Sequence, residues 1–235
     1  MYHLLLVIVL GYLIGSIPSA VWLGKLLKGM DLREHGSGNS GMTNAYRVLG
    51  WKIALSVGAM DFLKGFIASY FFSRLAMTLD GEAVVFFSTW QEDYFLRVIA
   101  GLAAVFGHMF PLYAGFRGGK GVMTACGMLY GVAIVSTISV SIAFITFILL
   151  VWTTRYVSLA SVTASILYPT VLLVMKYQLD MYVDGSLLVL ASAVAIGIIV
   201  KHHANIKRLF TGKENQINFK KKCDSVTTPE NSSNN

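Results

Sequence analysis

The sequence predicts an all-α integral membrane protein with about seven transmembrane helices. Of its 235 residues, 55% are hydrophobic and only 13% are charged, and the mean hydropathy is +0.64. Soluble domains average about 25% charged residues, so the deficit is large. A transmembrane helix needs about 20 apolar residues. Long runs that are nearly free of charge cover residues 4–23, 53–72, 95–114, 122–153, 157–175 and 186–200.

The first run, 4–23, is predicted to be a retained helix and not a cleaved signal peptide. No basic segment precedes it, whereas Lys25 and Lys28 follow it. Cations on that side place the C-terminal end of the helix in the cytoplasm, and therefore the N-terminus outside.

Basic residues predict the orientation of the other helices. Cations outnumber acidic residues in 24–52, 115–121 and 201–222. In contrast, 77–93 and 177–185 contain acidic residues but no lysine or arginine. The positive-inside rule places the three basic segments, and hence the C-terminus, in the cytoplasm.

The run 122–153 decides the number of spans. As one helix it would be about 48 Å long, too long for a hydrocarbon core of about 30 Å, and it would leave the basic tail outside. Two short helices that meet near Ser136 and Thr137 resolve both conflicts and give seven spans. Five spans remain the alternative if part of 122–175 is re-entrant.

The chain is predicted to form one polytopic membrane domain, residues 1–212, followed by a polar tail, residues 213–235, that is expected to be disordered. The two cysteines, Cys126 and Cys223, lie in unlike contexts and indicate neither a disulfide nor a metal site.

Three polar segments interrupt the apolar pattern, all on the predicted cytoplasmic side. The first, GSGNSGMTN at 36–44, is followed by Arg47. Its glycines let backbone N–H groups approach an anion closely. A helix that begins near Thr43 would point its positive end at the same place. A flexible interfacial loop is the alternative interpretation.

The second segment is GHMFPLYAGFRGGKG at 107–121, in which three glycines surround Lys120. A nucleotide P-loop does not fit, because Ala114 replaces its first glycine and a glycine follows the lysine. A cation in a glycine-rich turn suits phosphate in general. A basic turn that obeys the positive-inside rule would explain Lys120 but not the glycines. For His108, a structural hydrogen bond and a functional role are both open.

The third segment is KHHANIKR at 201–208. His202 and Asn205 are three residues apart and share a helix face. Asp61 and Lys64 have the same spacing inside the second apolar run, where a structural ion pair is the favoured interpretation.

These segments resemble the bacterial acyl-phosphate-dependent glycerol-3-phosphate acyltransferase family over residues 10–214. Departures are modest, such as Met42 and Met123 where alanine is usual. The matching signatures are GSIPS at 15–19, GSGNxGxTNxxR at 36–47, GHxxP at 107–111, FRGGKGV at 116–122, and HxxNIxRL with GxE at 202–214.

The resemblance implies transfer of a fatty acyl group from acyl phosphate to the 1-hydroxyl of glycerol 3-phosphate, which gives lysophosphatidic acid. It implies a plasma (inner) membrane location, an active site on the cytoplasmic side, contact with membrane lipid, and a soluble partner enzyme that makes acyl phosphate. No cofactor, metal or nucleic acid is expected.

The resemblance also assigns residues to roles. The expected catalytic residues are Ser37, Lys120 and His202. The expected substrate-binding residues are Arg47, Asn39, Asn44, Gly38, Gly118, Gly119, Gly121 and Asn205.

The residue chemistry agrees, because two phosphate substrates need several cations and N–H donors. His202 is the plausible general base, or it binds phosphate while a substrate oxygen accepts the proton; binding is the favoured role. The rival class is a transporter of a phosphorylated metabolite, whose site would lie near the bilayer midplane and not at one face.

Overall fold

In the computed structural model, residues 2–79 and 94–217 are described, and helices joined by short connections make up this part of the chain. A π-helical turn, Ala68–Phe72, joins α4 to α5, and 3-10 turns lie at Leu32–Glu34 and Leu112–Ala114. The α-helices are α1 (Tyr2–Gly15), α2 (Ser19–Lys28), α3 (Met42–Leu49), α4 (Trp51–Ile67), α5 (Ser73–Leu79), α6 (Tyr94–Met109), α7 (Val122–Val132), α8 (Ile134–Thr154), α9 (Val157–Tyr177), α10 (Gly185–Lys201) and α11 (His203–Phe210).

The helices confirm the predicted class, an all-helical membrane protein. Helices α10 and α11 are bent by 61° and would count as a sixth span if taken together. Helix α7 is apolar but has only 11 residues. Five stretches in the described ranges are long and apolar enough to cross a membrane, namely Leu4–Lys28, Trp51–Ala76, Phe95–Ala114, Ser136–Thr154 and Val157–Tyr177.

The run 122–153 is broken, as predicted, but not where it was predicted. The break falls at Ala133, whose backbone is extended at φ −158° and ψ 160°. Ser136 and Thr137 lie inside α8, which has 21 residues. The Thr137 hydroxyl donates to the carbonyl oxygen of Ala133, four residues earlier, at 3.1 Å, a bond that is compatible with a helix. The Ser136 hydroxyl instead donates across the break to the carbonyl oxygen of Leu129 on α7 at 2.7 Å.

Two further predicted features differ or fall outside the described part. Pro18 separates α1 from α2 within the first apolar run, because proline lacks the N–H that would continue the helix. The predicted outer connection lies mostly in residues 80–93, and most of the predicted tail lies in 218–235; both ranges are outside the described residues.

Glycines let the helices pack closely, as is common in membranes. A Cβ atom at Gly15 of α1 would lie 2.1 Å from the carbonyl oxygen of Ala104 on α6. One at Gly127 of α7 would lie 1.9 Å from that of Phe62 on α4. Helices α7 to α10 enclose the largest apolar core cluster, which includes Leu172.

Candidate active site

The three predicted motifs meet at one end of the bundle. Lys120, in the turn before α7, donates a hydrogen bond to Oδ1 of Asn205 on α11. Arg47 on α3 donates to the carbonyl oxygen of Asn215, 3.3 Å away. The predicted grouping of these cations with Asn205 is therefore present in the structure.

The loop at 36–41 is shaped by Asn44, whose side chain is 1% exposed. Its Oδ1 accepts the backbone N–H of Ser37 at 2.9 Å, and its Nδ2 donates to the carbonyl oxygens of Leu32 and His35 at 3.2 and 3.0 Å. The Asn44 amide therefore makes its hydrogen bonds to the backbone of the loop, and it holds the loop in shape. A Cβ atom at Gly36 would lie 2.3 Å from the same Oδ1, so the first glycine of the motif makes room for Asn44.

Three other predicted residues of the loop are accessible. Ser37 and Gly38 are exposed and Asn39 is half-buried, and Gly38 has a positive φ of 71°. Helix α3 begins at Met42, one residue before its predicted start at Thr43.

The glycine turn at 118–121 is packed against the end of α6. The Gly119 N–H donates to the carbonyl oxygen of His108 at 3.1 Å. A Cβ atom would lie 2.1 Å from that oxygen at Gly118, and 2.1 Å from His108 Nε2 at Gly119. Gly121 has φ +80° and precedes α7. The structure therefore explains Gly118 and Gly119 by contact with protein, where a role in substrate approach was predicted.

His108 belongs to a buried polar group, which we call the Asp61 cluster and which consists of Asp61, Lys64, His108 and Ser19. Lys64 Nζ lies 2.9 Å from Asp61 Oδ1, so the predicted structural ion pair is confirmed. His108 Nδ1 is 3.5 Å from Asp61 Oδ1, and Ser19 donates to Asp61 at 3.0 Å. Lys64 also donates to the carbonyl oxygen of Ile17 at 3.0 Å, beside the break between α1 and α2.

Glu214, which belongs to the matching GxE signature but was assigned no role, lies at the centre of the site. Its carboxylate accepts hydrogen bonds from Ser158 at 2.9 Å, from Asn205 at 2.7 Å and from Arg208 at 2.8 Å. Burial opposes ionisation, but these three bonds outweigh it and lower the pKa of Glu214. Residues 213–217, the start of the predicted tail, thus lie against the site, and the N–H of Ile217 donates to the carbonyl oxygen of Arg155 at 2.9 Å.

The site contains more positive than negative charge. Arg47, Lys120 and Arg208 share one carboxylate, Glu214. Burial, together with the neighbouring charges of Arg208 and Arg47, lowers the pKa of Lys120 to about 8, although the charge of Glu214 partly offsets these effects. Burial also lowers the pKa of Arg47. A bound anion would favour the charged forms of these cations and so offset both the cost of their burial and their mutual repulsion. This end of the bundle is therefore suited to phosphate.

His202 stands at the bend between α10 and α11 and is 2% exposed. Its Nδ1 lies 2.8 Å from the carbonyl oxygen of Ile198. A carbonyl only accepts, so Nδ1 carries the proton, and Nε2 of the neutral ring is left as an acceptor.

An apolar groove lies between α7, α8, α9 and α10, with about 570 Å³ of empty space including its open side. Its near end lies beside the site, since Val122 follows Lys120 by two residues and Ile198 is the hydrogen-bond partner of His202. The remaining lining residues are Met123, Ala125, Cys126, Leu129, Val140, Ala143, Phe144, Phe147, Ser161, Ala164, Ser165, Tyr168, Ala191, Val194 and Ala195.

Fold and site together define an integral membrane protein with a cation-rich site at one end of the bundle, beside an apolar groove. The chain matches the family model for glycerol-3-phosphate acyltransferase over residues 5–212. It is 44% identical to the glycerol-3-phosphate acyltransferase of Chlorobaculum tepidum, over 94% of this chain and 100% of the relative. It is 43% identical to that of Chlorobium phaeobacteroides strain BS1, over 93% of this chain and 98% of the relative.

The fold is similar to crystal structures of PlsY, described as an integral membrane glycerol 3-phosphate acyltransferase. For its glycerol 3-phosphate form the TM-score is 0.73 at 38% identity, and the match covers 92% of this chain and 96% of the other. For its lysophosphatidic acid form the values are 0.70 and 36%, with 92% and 95% covered. The chain therefore belongs to the glycerol-3-phosphate acyltransferase family, as its motifs predicted, and is a membrane acyltransferase.

Proposed function

We propose that this protein transfers a fatty acyl group from acyl phosphate to the 1-hydroxyl of glycerol 3-phosphate. The observation that carries the proposal is that two features are neighbours: three cations around one carboxylate, and an apolar groove whose near end lies beside them. Both substrates bear phosphate, and the donor also bears a hydrocarbon chain. The transporter alternative is not favoured, because the motifs lie together at one end of the bundle and the relatives are acyltransferases.

In this reaction the hydroxyl oxygen bonds to the acyl carbonyl carbon, and the bond from that carbon to the bridging phosphate oxygen breaks. Phosphate is already a good leaving group, so no covalent enzyme intermediate is needed. Lys120 and Arg47 balance the charge on the substrate phosphates, and charge-assisted bonds of this kind are strong. The exposed loop with Ser37, Gly38 and Asn39 contributes further donors beside them.

His202 has two roles open to it, and its contact in the structure favours one. A phosphate-binding role needs a protonated ring, which would add a fourth positive charge beside Arg47, Lys120 and Arg208. The neutral ring, with Nδ1–H bonded to Ile198, instead offers Nε2 to the substrate hydroxyl. We therefore propose that Nε2 accepts the hydroxyl proton, and His202→Asn should lower kcat and leave KM for glycerol 3-phosphate nearly unchanged. A raised KM with little change in kcat would favour phosphate binding.

We further propose seven crossings, with the N-terminus outside and the site on the cytoplasmic face of the inner membrane. In this arrangement α1 and α6 cross the membrane in the same direction. Their parallel packing supports it, since Gly11 and Gly15 lie against Ala100 and Ala104 in the same order. Short α7 would make one crossing. A cysteine at Lys28 should be labelled only from inside and one at Tyr182 only from outside, in a chain lacking Cys126 and Cys223; the reverse pattern would overturn the orientation.

The donor is tested with purified protein, glycerol 3-phosphate and either palmitoyl phosphate or palmitoyl-CoA, with lysophosphatidic acid detected by mass spectrometry. We expect product from the acyl phosphate alone, made without any soluble partner enzyme, whose role would be to supply the donor. Comparable rates with palmitoyl-CoA, or no product from palmitoyl phosphate, would refute the proposal. The Lys120→Ala protein serves as the matched control for product that does not depend on the site.

A further inference from the structure

The shape of the groove bears on which acyl donors the enzyme prefers, an inference that rests on the proposed function. The lining spans eight residues, and thus seven helical steps, along each helix, from Val122 to Leu129 on α7 and from Ser161 to Tyr168 on α9. It does the same on α10, from Ile198 to Ala191. At 1.5 Å per residue, the groove is roughly 10 Å deep.

The groove wall is suited to hydrocarbon. Two serines line it, but each hydroxyl donates to a carbonyl oxygen of its own helix. Ser161 bonds to Val157 and Ser165 to Val162, both at 2.8 Å. Since these hydroxyls are satisfied, an apolar chain in the groove leaves no buried polar group without a partner. Because the groove opens at the cation cluster, its occupant is the acyl chain of the phosphate-bearing donor.

Tyr168 closes the deep end of the groove and is 3% exposed. Ser136 donates to the carbonyl oxygen of Leu129 at 2.7 Å, and the Tyr168 hydroxyl lies 2.8 Å from Ser136 Oγ, which it serves as donor. This chain of bonds joins α9 through α8 to α7. Beyond it the apolar core continues, with Val132, Leu172 and Leu187 each 0% exposed.

We propose that Tyr168, held in place by Ser136, is the floor of the acyl groove and determines how many acyl carbons the protein encloses. An extended chain advances roughly 1.2 Å per bond, so a groove roughly 10 Å deep encloses roughly eight carbons. A longer chain must turn out between the helices into lipid. Carbons beyond the floor contact lipid both before and after binding and add little selectivity.

The test is a competition between hexanoyl and dodecanoyl phosphate for glycerol 3-phosphate, with both lysophosphatidic acids measured in one sample by mass spectrometry. Both donors partition into the same detergent in every assay, so partitioning affects all variants equally. A change in the product ratio between variants therefore reflects a change in how the groove binds the two acyl chains. Tyr168→Ala should raise the dodecanoyl-to-hexanoyl ratio at least about fivefold, because methylene groups gained in an apolar pocket discriminate strongly. Tyr168→Phe keeps the ring and should leave the ratio unchanged.

A second variant guards against loss of folding. Ala191→Leu places side-chain volume at the same depth from α10, so the ratio should fall, because dodecanoyl loses more enclosed carbons than hexanoyl. An active Tyr168→Ala protein with an unchanged ratio would overturn the inference. If that protein were inactive with both donors, a lower ratio in Ala191→Leu would support the inference and an unchanged one would overturn it. Turnover of neither donor by the unsubstituted enzyme would overturn the proposed function and this inference with it.

Discussion

Two groups of charged side chains at the same end of the bundle differ in how their charges are matched. In the Asp61 cluster one carboxylate faces one ammonium group, and a histidine and a serine complete its contacts; Asp61 and Lys64 are 2% and 4% exposed. In the site, three cations face Glu214, and the Arg208 side chain is 42% exposed. A matched, closed group fixes architecture, whereas an accessible excess of one charge is available to a ligand.

The two groups are joined by a single turn of the chain. Gly119 rests on His108 of the Asp61 cluster, and the next residue is Lys120. The matched group therefore sets where the unmatched cation stands. This division of labour predicts that substitutions in the first group change stability, and that those in the second change activity.

The largest effect is expected from Asp61→Asn, which keeps the side-chain shape but leaves the Lys64 charge without its counter-ion. Breaking a buried ion pair by removal of one partner costs about 3–5 kcal/mol of stability. We expect a lower thermal unfolding temperature in detergent. The exposed Glu34→Gln serves as control and should unfold at the same temperature as the unsubstituted protein. An Asp61→Asn protein of normal stability but without activity would break the comparison, because it would make the buried group part of the chemistry.

The next largest effect is expected from Lys120→Ala, which should lower activity and leave stability nearly unchanged. Loss of a charge-stabilising donor at a reacting centre typically costs about 100-fold in rate, so kcat/KM should fall by about that factor while the unfolding temperature changes little. Lys28→Ala, on the exposed face of α2, should leave both unchanged. Equal activities for the two alanine variants would refute the phosphate-site interpretation of Lys120.

Much of this comparison could be predicted from the sequence. The low share of charged residues predicts an integral membrane protein, and the glycines around Lys120 predict a turn that carries a cation. A glycine in sequence does not reveal what it makes room for, and Gly118 and Gly119 make room for His108, not only for a ligand. The sequence pattern thus reveals the glycine motif, but it does not reveal the contact with His108 for which the glycines are needed.

The contacts of Glu214 with the cations, the role of Ser158 and the position of the break at Ala133 could not be predicted from the sequence, although Glu214 stands in a matching signature and a break in the run 122–153 was predicted. Glu214 follows a basic helix at the start of a polar tail, and only the return of the chain to Arg155 brings it to the cations. Ser158 is one of several hydroxyl residues in the apolar helix α9, and nothing in the sequence distinguishes it from the others. Ala133 stands between valine and isoleucine, and the nearest glycine, Gly131, lies inside α7, so the sequence does not indicate that the helix breaks at Ala133.

The smallest effect is expected in the pH dependence of activity, which tests whether the charge of Lys120 is needed at the site. The pKa of Lys120 in the unliganded site is about 8, because burial disfavours its charged form. If the ammonium form binds phosphate, kcat/KM, which reports the free enzyme, should be level just below pH 8 and should fall as pH rises through about 8, at most tenfold per unit. Bound phosphate favours the charged lysine, so the corresponding fall in kcat should lie at higher pH. Lys120→Arg, whose guanidinium stays protonated, should have lower activity but no such alkaline limb. If the limb persisted unchanged in that variant, its source would be a group other than Lys120, and the excess charge of the site would not be what the pH profile measures.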